Sequence, residues 1–303
     1  MLISASAPEA GIAFVAAITT ELVKEIRERH DLSPTATAAT GRLATGAVLF
    51  GAGLKGRERV TLQISGDGPI GAIAADTWLL EPDVIAARGY ARNPYVDIPL
   101  NARGKFDVAG SVGTGSLHVT KAYETGQPYV GVVPLYSGEI AEDIAAYLSQ
   151  SEQIPSVVAL GVLASPSGIR ASGGVLAQVL PGADEKAIAT LEERALAMPP
   201  VTRLISDGAD AHALLHALSG ALQLRSHRSL DLRFACLCTK EKVEAALLAM
   251  GPAELQHLAS ERSETEATCE FCKRVYVFTS EEIVHLAETI LRQAQDDSST
   301  GLG

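Results

Sequence analysis

Four cysteines constrain this chain more than any other feature, and all of them lie in its last quarter. Cys236 and Cys238 form a C-x-C pair, and Cys269 and Cys272 form a C-x-x-C pair. Two close pairs separated by a helical insert are typical of a tetrahedral zinc site, because each turn supplies two thiolates. Iron also takes four thiolates, but the spacing resembles a zinc knuckle. Four unrelated buried thiols would not explain the clustering.

The residues around the cysteines predict a small folded domain. Thr239 is expected to cap a helix that ends at Gly251, and Pro252 to open a second helix. Val275–Phe278 is predicted to be a strand, and the capping box Thr279–Glu282 to begin a last helix. Metal binding would supply much of the folding free energy of such a domain.

The C-x-C spacing adds a second interpretation of this site. One residue between two sulfurs makes a strained disulfide that is easily reduced. Oxidation of the thiolates would remove the metal and unfold the small domain. From the residues alone, a plain structural zinc site and a redox switch both stay open.

Composition and charge exclude several other classes of protein. The chain has 303 residues, enough for two domains, and its net charge of −11 disfavours general nucleic-acid binding. Hydrophobic residues make up 47% and charged residues 20%, as in a folded soluble protein. The longest uncharged run, 153–169, contains two prolines, and the first residues lack a signal-peptide pattern. We therefore expect a cytoplasmic protein that does not enter membranes.

The pattern along the chain predicts an α+β protein with a mixed sheet-and-helix N-terminal domain, a helical middle segment and a small C-terminal four-cysteine zinc domain. The predicted boundaries are 1–181, 182–230 and 231–295, followed by a polar tail over 296–303. The sheet is expected to be antiparallel and not doubly wound. The predicted elements are strands over Ile12–Ile18, Val60–Ser65 and Lys105–Lys121, and helices from Thr19, over Thr35–Leu54, over Ser137–Ser149, from Asp184, over Val201–Ser206 and over Ala211–Leu218.

The segment Gly66–Gly71 spells G-x-G-x-x-G after a strand, which is the pattern of a dinucleotide-binding loop. Such a loop must open a helix, whereas Pro69 lies inside the motif and Ile70–Ala75 has no polar helical face. The Asp-Gly step between two apolar runs is better explained as a hairpin turn.

Two further clusters, one of carboxylates and one of histidines, could be chemical sites but can also be explained by their structural surroundings. Glu139, Glu142 and Asp143 share one helical face, where paired carboxylates could act as acid and base. Acidic residues are also favoured in the first turn of a helix. His212 and His216 have the i, i+4 spacing of a metal pair, but no H-E-x-x-H motif surrounds them. We expect neither cluster to be a site.

The chain resembles the 33 kDa chaperonin family (heat-shock protein 33), whose members are redox-regulated holdase chaperones. The similarity spans nearly the whole length and is most specific around the paired cysteines. The matching segments are Thr19–Val23, Ser33–Ala38, Gly66–Gly71, Arg88–Tyr90, Ser137–Asp143, Ser151–Ser156, Cys236–Val243, Cys269–Cys272 and Tyr276–Phe278.

The resemblance implies a function and a site. Cys236, Cys238, Cys269 and Cys272 would bind one Zn²⁺ in the reduced, inactive form. Oxidation would form the disulfides Cys236–Cys238 and Cys269–Cys272 and release the zinc. The middle segment would then expose apolar surface to unfolding client proteins without ATP, and the active form would be a homodimer. The side chains expected to contact clients are Ile188, Leu191, Leu214, Leu215 and Leu218.

Three alternatives compete with this interpretation, in which the chain is a binding protein and not an enzyme. A thiol-disulfide oxidoreductase would use the C-x-x-C pair, but that motif normally follows a strand at a helix N-terminus. A zinc ribbon that binds nucleic acid is disfavoured, because acidic residues outnumber basic ones from Asp231 onward. A purely structural zinc site is the third alternative.

Overall fold

The computed structural model describes residues 1–165 and 167–300, with side chains up to residue 292. The chain divides into two compact units, which we call the sheet unit (residues 1–235) and the cysteine unit (from Cys236 onward). Sheets and helices occur in both units, and the predicted α+β class is confirmed. Of the predicted polar tail, residues 301–303 lie outside the described residues.

The sheet unit is built on one ten-stranded sheet. Its strand order is β7-β6-β3-β4-β5-β10-β1-β2-β9-β8. β10 pairs with β5 in parallel, and the other neighbouring strands of this sheet pair antiparallel, which confirms the predicted type of sheet. The strands are β1 Leu2–Ala7, β2 Ile12–Ile18, β3 Arg59–Gly66, β4 Ala72–Glu81, β5 Val84–Ala91, β6 Gly115–Ala122, β7 Tyr129–Pro134, β8 Ser156–Ser165, β9 Gly168–Val179 and β10 Arg225–Phe234.

Two groups of helices cover this sheet, and its core lies in two layers. Side chains alternate between the two faces along β1 and β2. Leu2 and Val15 belong to what we call the first core layer, and Ile3 and Phe14 to the second core layer. The first layer lies under helices α1, α2 and α4, and the second under α5, α6 and α7. The helices are α1 Thr20–His30, α2 Pro34–Phe50, α3 Val108–Val112, α4 Ala141–Gln150, α5 Glu185–Ala197, α6 Val201–Ser206 and α7 Ala211–Ser219.

Helix α2 is buried along nearly its whole length because its side chains are small. Ser33 caps it by accepting a hydrogen bond from the backbone N–H of Ala36. A Cβ atom at Gly41 would lie 2.6 Å from a methyl group of Val23, so only glycine allows α1 to pack this closely. The predicted packed helix is confirmed.

The segment Gly66–Gly71 connects β3 and β4 as a hairpin, as predicted. The N–H of Gly68 donates to the carbonyl of Val112, so this loop is occupied by its own chain. The prediction of strands across Lys105–Lys121 is wrong for residues 108–112, which form α3. Asp107 accepts a hydrogen bond from Gly110 N–H and caps this short helix.

The middle segment carries α5, α6 and α7, which agree with the predicted helices. We call these three helices the helical layer. From Arg225 the chain becomes β10, which lies between β5 and β1, so the predicted boundary at 230/231 falls inside a strand. Leu230, Leu232 and Phe234 alternate along β10 and pack on the first core layer. This period of two is the local reason for the strand.

The cysteine unit contains helices, a two-stranded hairpin and its own small core. Thr239 caps the first helix through Lys242 N–H, and Thr279 and Glu282 form the predicted capping box. Core side chains include Leu247, Leu255 and Phe278. The elements are α8 Lys240–Leu248, α9 Pro252–Glu261, β11 Glu264–Thr268, β12 Val275–Thr279 and α10 Ser280–Thr300.

Among the described residues, no helix is both long and apolar enough to cross a membrane.

Candidate metal centre

The four cysteine sulfurs converge on one point in the cysteine unit. All four lie within 4.8 Å of one another. The sulfur of Cys236 is 3.7 Å from that of Cys269, and the sulfur of Cys238 is 3.4 Å from that of Cys272. Cys272 is buried and the other three are half-buried. The fold therefore places each member of one pair beside a member of the other.

A tight turn between β11 and β12 presents the second pair. The N–H of Cys269 donates to the carbonyl of Arg274, and the N–H of Lys273 donates back to the carbonyl of Cys269. Lys273 has φ of 57°, in the left-handed region that such a turn requires. The turn lies between two strands and not at a helix N-terminus, so it lacks the local context of a dithiol oxidoreductase motif.

The first pair is fixed from the side of α8. Lys242 donates from its ammonium group to the carbonyl of Leu237, at 2.6 Å, which holds the residue between the two cysteines. Thr239, directly after Cys238, caps the same helix. Both contacts anchor the C-x-C turn to the start of α8.

This arrangement fits one tetrahedral metal ion. Zn–S bonds of about 2.3 Å place tetrahedral sulfurs about 3.8 Å apart. The sulfur distances of 3.7 and 3.4 Å are close to that value. Four thiols with no oxygen or nitrogen ligand also favour a soft or borderline cation. The donor set and its spacing therefore match a closed structural site.

The protein environment opposes ionisation of Cys269 and Cys272. Burial raises the pKa of Cys272 to about 12, and burial also raises the pKa of Cys269. Both thiols are therefore protonated at neutral pH when no cation is present. A bound divalent cation reverses this, because a coordinating thiol is deprotonated outright. Metal binding at this site is thus coupled to proton release.

A tyrosine also reaches the site. The hydroxyl of Tyr276 on β12 donates a hydrogen bond to the sulfur of Cys238, with an oxygen–sulfur distance of 3.2 Å. This hydrogen bond raises the pKa of Tyr276, so the hydroxyl keeps its proton. Tyr276 could not be predicted as part of the site, because nothing in the spacing of the residues shows that this side chain faces Cys238.

A family model described as Hsp33 protein matches residues 1–279 of this chain. The chain belongs to the Hsp33 family. The resemblance inferred from the sequence is confirmed, and the matched range contains all four cysteines.

Known proteins agree over nearly the full length of this Hsp33-family chain. A 33 kDa chaperonin of Nostoc sp. is 43% identical over 304 residues and covers 99% of both chains. One from Geobacillus kaustophilus is 41% identical over 289 residues, 95% of this chain and 97% of the relative. The crystal structure of the 33 kDa chaperonin (heat shock protein 33 homolog) from Thermotoga maritima superposes with a TM-score of 0.86 at 34% identity, covering 96% and 99% of the chains. These relatives support membership of a chaperone family.

The residues expected to contact clients lie in the helical layer of this Hsp33-family protein. Ile188 is half-buried. The other four are at most 2% exposed and belong to the second core layer: Leu191, Leu214, Leu215 and Leu218. These leucines are buried in the second core layer, so none of them is exposed on the surface of the described structure.

One side chain links two helices of the helical layer. Arg194 of α5 donates from its guanidinium to the carbonyls of His216, Ala217 and Leu218 in the last turn of α7, at 3.0 to 3.3 Å. Gly220, with φ of 63°, ends α7, and a Cβ atom there would lie 2.6 Å from the guanidinium carbon. Glycine is therefore needed both for this turn and for the arginine.

The other clusters noted in the sequence have structural roles here. Asp143 is fully buried and accepts hydrogen bonds from the backbone N–H groups of Tyr136, Ser137, Gly138 and Ile140. Glu139 pairs with Arg42 at 2.6 Å, and Glu142 is exposed. His212 and His216 are exposed on α7. Among the residues whose side chains are described, only the four cysteines gather as a possible metal group.

Proposed function

We propose that this protein is a cytoplasmic, redox-regulated holdase that works without ATP and catalyses no reaction. In the reduced form the four cysteines bind one Zn²⁺ and clients are not held. The observation that carries the proposal is the convergence of four sulfurs within 4.8 Å in a chain of the Hsp33 chaperone family. Its partners are unfolding proteins and, after oxidation, a second copy of the chain. Neither nucleic acid nor membrane is a partner.

Zinc, when bound, keeps all four sulfurs as thiolates. A thiolate is the nucleophilic form of cysteine, so the site is reactive towards peroxide. Two thiolates, one hydrogen peroxide and two protons give one disulfide and two waters. Oxidation of all four cysteines therefore consumes two peroxides and forms Cys236–Cys238 and Cys269–Cys272. Each disulfide removes two ligands, so the site loses its affinity for the ion.

Loss of the ion removes much of what folds the cysteine unit. Its core contains few large buried side chains, namely Leu247, Leu255, Phe278 and Ile283. Structural zinc contributes on the order of 10–16 kcal/mol in small zinc peptides, whereas four buried large side chains contribute about 6–12 kcal/mol before the entropy of ordering the chain is subtracted. We expect the oxidised unit to unfold from Cys236 onward.

The chain connects this event to the helical layer. β10 ends at Phe234, directly before the cysteine unit begins, and it follows the helical layer in sequence. Unfolding from Cys236 leaves the end of β10 free to fray. Loss of the pairing between β10 and β1 then loosens one of the strands on which α7 packs, so the helical layer becomes easier to detach. Detachment exposes the buried leucines together with sheet residues such as Ile3 and Phe14. This combined apolar surface is the client-binding surface that we propose.

An aggregation assay tests this function. The full chain, reduced and zinc-loaded, is compared with the same chain after hydrogen peroxide at elevated temperature, using a heat-unfolded client. We expect suppression of aggregation only after oxidation. The matched control is the variant Cys236→Ser with Cys238→Ser, which lacks half of the ligands and cannot form the first disulfide. Equal suppression by both forms of the wild type would leave only a structural metal site.

A further inference from the structure

The Tyr276 ring is fixed in place rather than free to swing. It lies on β12 opposite Ala267 of β11 and packs on the core that contains Leu247 and Phe278. Its hydroxyl lies 3.2 Å from the Cys238 sulfur. The strand pairing and the core already fix this ring. Little further side-chain entropy is therefore lost when its hydroxyl hydrogen-bonds to the sulfur.

Resting on the proposed function, we propose that Tyr276 is a positioning residue that lowers the reactivity of Cys238 towards peroxide and so sets the oxidant concentration at which the site opens. The thiolate attacks one peroxide oxygen, the O–O bond breaks, a sulfenic acid forms and water leaves after protonation. This step uses a sulfur lone pair. The hydroxyl of Tyr276 occupies a lone pair of Cys238 and stabilises its negative charge, as hydrogen bonds to metal ligands do.

The variant Tyr276→Phe removes only the hydroxyl. We expect the reduced, zinc-loaded full chain to release zinc about fivefold faster in hydrogen peroxide, the effect of one ordinary hydrogen bond. Zinc release is followed with a colorimetric chelator, and sulfenic acid at Cys238 by trapping and mass spectrometry. Tyr136→Phe is the matched control, because Tyr136 is 74% exposed in the sheet unit. Its release rate should equal that of the wild type.

A spectroscopic measurement separates this effect from loss of folding. Cobalt replaces zinc in the full chain, and its thiolate-to-cobalt absorption reports the electron density on the sulfurs. Tyr276→Phe should keep the tetrahedral cobalt spectrum with the charge-transfer band moved to lower energy. Site-specific 3-fluorotyrosine at position 276, a stronger donor, should move the band the other way and slow zinc release. A general loosening of the fold cannot produce both opposite shifts.

The outcomes separate the role proposed for Tyr276 from the redox-regulated function on which it rests. Equal release rates and equal cobalt bands for wild type and Tyr276→Phe would overturn the role of Tyr276 and leave the redox switch intact. A wild-type protein that keeps its zinc in peroxide would overturn both. Faster release with the band shift supports the proposal.

Discussion

The three hydrogen bonds from Arg194 to the carbonyls of His216, Ala217 and Leu218, which we call the Arg194 clamp, set how firmly α7 is held in the helical layer. The variant Arg194→Met tests this. Methionine keeps most of the apolar stem of arginine and removes the guanidinium. The variant therefore loses the three hydrogen bonds to the last turn of α7 while leaving the packing of Leu191 and Leu215 unchanged. The favourable position of a cation at a helix C-terminus is lost as well.

The size of the effect follows from these contacts. A hydrogen bond to a charged group contributes about 1.5–3 kcal/mol net. The guanidinium is half-buried, and both it and the carbonyls regain water when the clamp is removed. We therefore assign about 2 kcal/mol to the whole clamp rather than to each bond. This corresponds to an increase of about 30-fold in the population with the layer detached.

Hydrogen exchange and client holding measure this population. We expect backbone amides of α7 to exchange about 30-fold faster in reduced, zinc-loaded Arg194→Met, and aggregation suppression to appear at a lower peroxide dose. The control Arg203→Ala lies in the same layer, but its ion pair with Asp207 is 3.8 Å long and the two side chains are 75% and 70% exposed. Such a pair contributes little, so both measurements should match the wild type.

Two results would refute this reasoning. Unchanged exchange in α7 would show that Arg194 does not hold the layer. Faster exchange with an unchanged peroxide dose would show that detachment of the layer is not what limits client binding.

Three further predictions concern the site, the layer and the sheet unit. Because burial raises the pKa of Cys272 to about 12, zinc must displace protons, so its affinity should rise with pH between 6 and 8. Competition titrations against a chelator should show that zinc binding releases at least two protons, from Cys269 and Cys272, and release of less than one proton would contradict protonated thiols. Leu191→Ser with Leu215→Ser should weaken holding by the oxidised form at unchanged zinc content; unchanged holding would exclude these leucines from the client surface. Asp143→Asn places an amide group against the N–H of Ile140 and should lower the free energy of unfolding by about 2 kcal/mol in denaturant titrations; an unchanged value would mean that the buried hydrogen bonds of Asp143 are dispensable.

The cysteine unit was the most predictable part of this protein because its signals are local. The spacing of the four cysteines, the cap at Thr239 and the capping box at Thr279 each depend on neighbours in sequence. The two turns that carry the cysteine pairs then set the positions of the four sulfurs relative to one another. The orientation of Tyr276 could not be predicted, since the partner of a strand side chain depends on packing between elements.

The sheet unit shows what local patterns miss. Leu230, Leu232 and Phe234 alternate as in a strand, but their partners lie in β1 and β5, far away in sequence. The polar residues between them also resemble an exposed linker. Helix α3 lies within a stretch whose apolar residues favour strands. Asp107 caps this helix by accepting a hydrogen bond from Gly110 N–H, and the apolar pattern does not show that cap. The hydrogen bonds from Arg194 to α7 likewise depend on how α5 and α7 pack, which cannot be predicted from the spacing of residues in the sequence.

The position of β10 has a consequence for synthesis of the chain. It joins two partial sheets, one made of β7, β6, β3, β4 and β5 and the other of β1, β2, β9 and β8. The two partial sheets cannot join until Arg225–Phe234 has left the ribosome, so each nascent chain carries two unpaired inner edges for most of its translation. Such edges invite pairing with other chains. A protein of a chaperone family thus passes through a stage in which it is itself exposed to aggregation.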